Sequence, residues 1–159
     1  MNAEELPYKI RFAYREEWQD IVALAWKTFQ TFEAPDYSEK GIESFRNFIT
    51  DQTLYKMFLS GTYQLMVAVC QTKIVGLISV RDMMHISLLF VDEQYHKRGI
   101  GRALIQAMGN YLMQEEGIVK MTVNSSPYAI GFYHTLGFHD LKVKQEEDGI
   151  SYTPMELFI

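Results

Sequence analysis

The stretch Val91–Leu104 (VDEQYHKRGIGRAL) decides the fold. It reads as a buried strand that ends in a polar turn and continues, after Gly99, as an amphipathic helix. Glycines at such a junction let a ligand approach the backbone, because no Cβ stands in the way. The helix N-terminus offers unpaired N–H groups and the positive end of its dipole, and Lys97, Arg98 and Arg102 add formal charge. This stretch therefore predicts an anion site suited to a phosphate-bearing ligand.

Two other glycine-rich loops that bind phosphates do not match the sequence. A Rossmann fingerprint would need glycine or alanine at position 104, which is Leu104. A Walker A loop would need four residues between its glycines, followed by Lys-Ser or Lys-Thr, and that spacing is absent. What remains is a compact Gly-x-Gly turn at a helix N-terminus.

Composition indicates one globular domain, predicted to span residues 1–159. The chain is 48% apolar with a net charge of −5, which argues against disorder and against a general nucleic-acid binder. The single cysteine, Cys70, excludes an internal disulfide framework. The polar N-terminus and the lack of an apolar run of about 18 residues favour a cytoplasmic protein without a membrane partner.

Hydrophobic periodicity predicts an α/β (α+β) fold with the element order β-α-α-β-β-β-α-β-α-β-β. About seven strands form a mixed, mostly antiparallel, twisted sheet. Ser38 is the expected N-cap of the second helix and Gly117 the glycine that follows the third. Whether residues 51–60 are helical is left open. The strands are expected at 8–15, 63–71, 73–81, 83–91, 119–125, 138–145 and 150–158, and the last helix is expected to begin at Ser126-Pro127.

The strand, helix and strand around the glycine turn form a βαβ unit, so the fourth and fifth strands should run parallel. His96–Gly101 (HKRGIG) on this junction and Ala129–Phe138 (AIGFYHTLGF) after the fifth strand resemble motifs of the GNAT superfamily of N-acetyltransferases. The match in sequence is confined to roughly residues 84–140, while the element order fits over nearly the whole chain. The resemblance implies the GNAT sheet, with helices on both faces.

The resemblance also implies acetyl-CoA as co-substrate, bound where the fourth and fifth strands splay apart. The pyrophosphate would bind the glycine turn and the pantetheine arm the exposed edge of the fourth strand. Ser126 stands where Asn is common in the family, and Asn124 or Ser125 are possible substitutes. The implied contacts are Leu89, Phe90, Val91, His96, Lys97, Arg98, Gly99, Ile100, Gly101, Arg102, Ala103, Asn124, Ser126, Ala129, Phe132 and Tyr133.

Acetyl transfer to an amine needs an unprotonated nucleophile, a stabilised oxyanion and a proton for the leaving thiolate. By the resemblance, Tyr133 is the general acid, although its helical spacing also fits a packing role. Several family members place a carboxylate where this chain has His85, which is the possible base. Glu33, at the end of the first helix, is the alternative base.

The acceptor is expected to be a primary amine of a small molecule or peptide, and the acidic balance weakly favours a cationic one. Trp26, Phe32 and Tyr37 are the candidate substrate contacts. Cys70 reads as a core residue, and the four histidines show no metal-ligand spacing, so no metal is expected. A non-catalytic acyl-CoA-binding or sensing module on the same fold is the alternative function. Both a monomer and a homodimer are compatible with the sequence.

Overall fold

Antiparallel hairpins build the first half of the sheet. The computed structural model describes residues 7–159, in which β1 (Tyr8–Phe12) pairs with β2 (Gln64–Cys70). β2 pairs with β3 (Lys73–Arg81), and β3 with β4 (His85–Val91), each antiparallel. The predicted single domain, residues 1–159, also includes residues 1–6, which lie outside the described part of the chain.

The second half of the sheet joins β4 through a parallel pair. β5 (Lys120–Ser125) pairs in parallel with β4 and antiparallel with β8 (Ile150–Phe158). The strand order is β1-β2-β3-β4-β5-β8-β6, in which β6 is His139–Asp140, and β7 (Gln145–Glu147) pairs with β8. The predicted mixed, mostly antiparallel sheet with parallel β4 and β5 is therefore confirmed, with eight strands instead of about seven.

Helices cover both faces of the sheet, as predicted. α1 (Trp18–Phe32) and α2 (Glu39–Ile49) bury their apolar sides in one core cluster, and α4 (Ile100–Glu116) and α5 (Ile130–Thr135) in another. Residues 52–60, left open by the sequence, form α3 (Gln52–Ser60). Within residues 7–159, no helix is both long and apolar enough to cross a membrane.

Three predicted strands have limits that differ by two residues or more. β1 ends at Phe12 instead of residue 15, because residues 15–17 form a short helical turn that leads into α1. β4 begins at His85 instead of residue 83, because Asp82 and Met83 have left-handed φ values of 52° and 71° and form the turn. The strand expected at 138–145 is divided into β6 (His139–Asp140) and β7 (Gln145–Glu147), so the chain leaves the sheet between them.

The last helix also begins later than predicted. α5 starts at Ile130, preceded by a turn over residues 127–129. The Ser126 hydroxyl still accepts a hydrogen bond from the Ala129 amide at 3.3 Å, but it stabilises this turn and not the helix.

The start of α2 is fixed by the turn between β7 and β8. The Ser38 hydroxyl accepts from the Gly41 amide at 3.1 Å, which confirms the predicted N-cap. The Ser38 amide donates to the Gly149 carbonyl at 3.2 Å, and Lys40 pairs with Asp148 at 3.4 Å. These two contacts fix the position of the start of α2, and α2 packs against α1 and β4.

A bulge in β4 sets the geometry of the sheet centre. The register places Leu88 opposite Ser79 and Ile86 opposite Val80, so Ser87 has no partner on β3. On the other edge, β4 pairs with β5 only through residues 85 and 86. Bulges bend a strand and increase its twist. From residue 87 onward the two strands separate and leave a cleft.

Candidate active site

The cleft between β4 and β5 has a volume of about 670 Å³. Its walls are the end of α1 and the turn after it, Phe45 of α2, the separated half of β4, the glycine turn and the segment from β5 into α5. Residues far apart in sequence therefore meet in one cavity at the centre of the sheet. Most of the site residues expected from the sequence lie on these walls.

The glycine turn presents backbone amides to the cleft. Gly99 adopts a left-handed φ of 78° as N-cap of α4, and no side chain caps this helix end. The Ala103 amide donates to the Gly99 carbonyl at 3.0 Å, whereas the amides before it precede the first helical hydrogen bond. A Cβ on Gly101 would lie 3.0 Å from the ring of Phe132. The turn is thus an open cradle of donors, and Lys97 and Arg102 line it.

Two side chains hold this turn against the end of β4. The His96 ring Nε2 lies 2.7 Å from the Val91 carbonyl oxygen, a distance at which the protonated nitrogen donates to it. Asp92 is only 2% exposed, accepts from the Gln94 amide at 3.0 Å and faces the ammonium groups of Lys27 and Lys73. Burial alone would raise the pKa of Asp92, but the amide and the two lysines hold it below its usual range.

Glu33 places a carboxylate inside the cleft. It terminates α1, because its φ and ψ lead into a short turn that contains Pro35. Burial raises the pKa of Glu33 to about 7, the charge of Asp36 adds to the rise, and a hydrogen bond from the Ser126 hydroxyl opposes it. A helix C-terminus also disfavours a negative charge. A carboxyl group with this pKa exchanges its proton near neutrality.

Tyr133 lies across the cleft from the β4 wall and is only 4% exposed. Burial raises the pKa of its phenol well above the ordinary range, and the charge of Glu33 adds to the effect. Within residues 7–159, no hydrogen bond engages its hydroxyl, while its ring packs edge-on against Phe132 and Phe138. The ring is therefore held by packing, and its hydroxyl keeps its proton.

Aromatic rings close part of the cleft. Phe32 stacks between the ring of His96, 4.8 Å away, and that of Tyr128, 4.9 Å away. This stack connects the end of α1, the glycine turn and the segment after β5. Tyr37 contacts Phe29 edge-on at 5.2 Å, and burial together with the charges of the neighbouring carboxylates raises the pKa of its phenol.

Most of the predicted cofactor contacts line the cleft, and two do not. Arg98 lies with its guanidinium 5.2 Å from the ring centre of Tyr95, outside the cavity. Ala103 has already used its amide within α4. The other predicted contacts on the cavity wall are Leu89, Phe90, Val91, His96, Lys97, Gly99, Ile100, Gly101, Arg102, Asn124, Ser126, Ala129, Phe132 and Tyr133.

Two further candidates lie outside the cavity. His85 is at the paired end of β4, where its Nδ1 is 2.8 Å from the Thr122 hydroxyl. Burial lowers the pKa of His85, and Arg81 lowers it further. Trp26 stacks with Phe29 and Phe45, and Arg46 lies 5.7 Å from its ring, but it does not line the cavity. Its role as a substrate contact stays a prediction. Phe32 and Tyr37 do line the cleft.

Several cleft residues could not be recognised from the sequence. Phe29 and Phe45 belong to apolar helical stripes that predict core positions, and Ser87 is in an apolar strand. The Tyr63 hydroxyl donates to the Ser87 hydroxyl at 3.0 Å and bonds to that of Ser79 at 2.6 Å. The helical stripes did place the two phenylalanines on one side of the sheet. Tertiary packing alone shows that the cleft opens at that point.

Among the residues described, no three His, Cys, Asp or Glu side chains converge to hold a metal ion. The expected absence of a metal stays a prediction.

Comparisons with known proteins point to one family. Residues 33–159 match the family model described as "Acetyltransferase (GNAT) domain". The uncharacterized N-acetyltransferase YafP of Escherichia coli strain K12 is 28% identical over 131 residues, which cover 82% of this chain and 81% of that protein.

Solved structures share the whole fold. A GCN5-related N-acetyltransferase structure from Rhodopseudomonas palustris superposes with a TM-score of 0.80 at 25% identity, covering 95% of both chains. The PaiA N-acetyltransferase of Thermoplasma acidophilum, solved in complex with coenzyme A, superposes with a TM-score of 0.78 at 19% identity, covering 96% of this chain and 99% of that one. At 19% identity, the second superposition shows a shared fold and nothing more.

The raised pKa of Glu33 makes folding stability depend on pH. Its folded pKa of about 7 lies above the ordinary 4.5, so the folded state binds the proton more tightly. The resulting stabilisation is complete below pH 4.5 and is lost as pH rises through 7. Between pH 5 and 8, Glu33→Gln should therefore gain stability relative to the wild type, by on the order of 2 kcal/mol. Urea unfolding of both proteins at each pH measures this difference, and an unchanged difference would contradict it.

Proposed function

Because the chain belongs to the GNAT acetyltransferase family, we propose that it is an N-acetyltransferase that moves the acetyl group of acetyl-CoA directly to a primary amine. One observation carries this proposal. A carboxylate with a pKa near neutrality, a protonated tyrosine hydroxyl and a cradle of backbone amides open onto the same cleft. Amine acylation requires a group of each kind.

The backbone around the cleft has features that suit the binding of acetyl-CoA. Gly99 has open space where a Cβ would be, so a bulky anion can reach the backbone there, whereas Gly101 is packed against the ring of Phe132. The first amides of α4, together with Lys97 and Arg102, would hold the pyrophosphate. Beyond residue 86, the edge of β4 has no strand partner on the β5 side. Its backbone groups are free to pair with the amide groups of a pantetheine arm.

We assign the base to Glu33. A carboxylate that titrates near pH 7 is matched to accepting a proton from an ammonium group or from the attacking amine. Glu33 lines the cleft, whereas His85 does not, and the bond of His85 to Thr122 explains its place as part of the sheet. Ser126 lies close enough to lower the pKa of Glu33, and because its hydroxyl oxygen accepts from the Ala129 amide, its proton would be available to the carboxylate.

The reaction then balances as follows. Glu33 takes one proton as the amine nitrogen attacks the thioester carbonyl carbon and forms the C–N bond. Backbone amides of β4 stabilise the negative charge on the carbonyl oxygen. The C–S bond breaks, and Tyr133 donates its proton to the departing sulfur. A proton returns to Tyr133 from water, and Glu33 releases its own, so the products are the amide and the free thiol.

Amine-dependent thiol release tests the function. Purified protein should release coenzyme A thiol from acetyl-CoA when a primary amine is present, and it should release far less when the amine is omitted. A thiol-reactive dye measures the rate over a panel of amines. Protection of the fold against heat by coenzyme A, with no amine-stimulated release, would instead support a non-catalytic acyl-CoA sensor.

The pH dependence of the rate tests the assignment of the base. Only ionised Glu33 can accept a proton, so kcat/KM should rise with pH through an apparent pKa near 7. Glu33→Gln should lower kcat/KM by about 10²-fold. It should also abolish the acidic limb of the profile, which is the rise of kcat/KM through pH 7. His85→Gln is the matched control, since it replaces a half-buried titratable group outside the cleft and should keep the limb. A limb that disappears with His85→Gln but persists in Glu33→Gln would move the base to His85.

Tyr133→Phe tests the acid. The ring should stay in place, because it is held by packing against Phe132 and Phe138. Loss of the hydroxyl should lower kcat by about 10²-fold while the Kd for coenzyme A, measured by calorimetry, changes little. Tyr63→Phe is the control, since it removes another buried phenol that bonds to serines. Unchanged turnover in Tyr133→Phe would remove this residue from the mechanism.

A further inference from the structure

One wall of the cleft, on the α1 and α2 side of the sheet, is built almost entirely from aromatic and aliphatic groups. We define it as the apolar wall: Phe29, Tyr37, Phe45, Leu88 and Phe90, all of which line the cavity. Phe45 stacks on Phe29 with ring centres 4.0 Å apart and planes within 11°, and it meets Phe90 edge-on at 5.9 Å. The rings of this wall are therefore held against one another by stacked and edge-on contacts, which leave an apolar surface on the cavity.

One carboxylate faces the cavity at this wall, whereas Asp36, whose charge acts on both Glu33 and Tyr37, is exposed and lies outside the cavity lining. Among the described residues that line the cleft, Glu33 is the one carboxylate, and it lies beside Tyr37 at the end of α1. The cations of the cleft, Lys97 and Arg102, are on the glycine turn. One negative charge surrounded by apolar surface can neutralise one ammonium group. A second ammonium would lose water without gaining a partner, which is costly.

The remaining polar side chains of this region are mostly occupied. The Thr28 hydroxyl donates to the Leu24 carbonyl in its own helix at 2.7 Å. The Ser87 hydroxyl accepts from Tyr63, so one hydroxyl proton stays available at the far end of the wall. Besides Glu33, this wall offers two hydroxyl groups, those of Ser87 and of Tyr37 itself, which are too few for a sugar or a peptide backbone.

We propose, resting on the function above, that the acceptor is a monoamine with a flat apolar body, of the arylalkylamine type. Its amine would bind at Glu33 and its ring would lie on the apolar wall. Stacking and edge contacts with these rings add to the hydrophobic gain of burying such a body. The wall thus selects acceptors by shape and by the absence of a second charge.

Three amines separate the parts of this proposal. 1,5-Diaminopentane differs from pentylamine by a second charge, and 2-phenylethylamine differs from it by a flat ring. In thiol release at pH 8, kcat/KM should fall by about 10-fold or more from 2-phenylethylamine to pentylamine, and again from pentylamine to the diamine. Calorimetric binding of each amine to protein saturated with coenzyme A should give the same order.

The two readouts distinguish failure of the acceptor class from failure of the function. Turnover with the diamine preferred, or with no preference, would overturn the acceptor class and leave acetyl transfer standing. The predicted order of binding without turnover with any amine would support the wall and overturn the transferase. Equal or absent binding of the three amines would overturn the acceptor class in either case.

A pair of variants links the preference to the wall. Phe45→Leu should reduce the advantage of 2-phenylethylamine over pentylamine by about 10-fold, because it removes the flat ring that faces the cleft. Phe58→Leu is the matched control: Phe58 belongs to the same core cluster and stacks on Trp18 at 5.0 Å, away from the cleft. An equal loss of preference in both variants would assign the effect to general destabilisation and contradict the proposal.

Discussion

The pairing between β4 and β5 stops after two residues, and the site depends on that interruption. Ser87 is an extra residue opposite β3, and beyond it β4 keeps β3 as its neighbour but loses β5. A fully paired sheet would have filled its centre with hydrogen bonds and side chains. The separation instead leaves backbone donors and acceptors at the edge of β4, together with a cavity that reaches both faces of the sheet.

Both sides of the interruption contribute to the chemistry. The glycine turn, held by His96 and the buried Asp92, supplies donors for an anion, and the end of α1 supplies Glu33. The two regions differ in polarity: the turn is cationic, whereas the wall behind Glu33 is apolar. Under the proposed function, this division would let one cavity bind a polyanionic donor and a cationic acceptor with little interference. It also explains why the pKa of Glu33 is raised, since the wall that would receive the acceptor body excludes water from the carboxylate.

Local patterns predicted the elements more reliably than their ends. Alternation and helical spacing placed the strands and helices in the right order, and the glycine turn was recognised because its signal is contiguous. The errors occurred where tertiary contacts determine a boundary. The strand expected at 138–145 is divided by an excursion from the sheet, and α5 begins after a turn that Ser126 stabilises. Trp26, expected at the acceptor pocket because it lies off the apolar stripe, instead packs with Phe29 and Phe45 and does not line the cavity.

The sequence by itself determined the fold class, the anion-binding turn and the position of Tyr133, because each depends on residues close together in the chain. The proposed choice of Glu33 over His85 as the base rests on the tertiary structure. The two lie far apart in sequence, and neither is marked by its neighbours. Folding bonds His85 to Thr122 within the sheet and buries Glu33 in the cavity beside Ser126. A proton affinity depends on burial and on nearby charges, and these are properties of the folded chain.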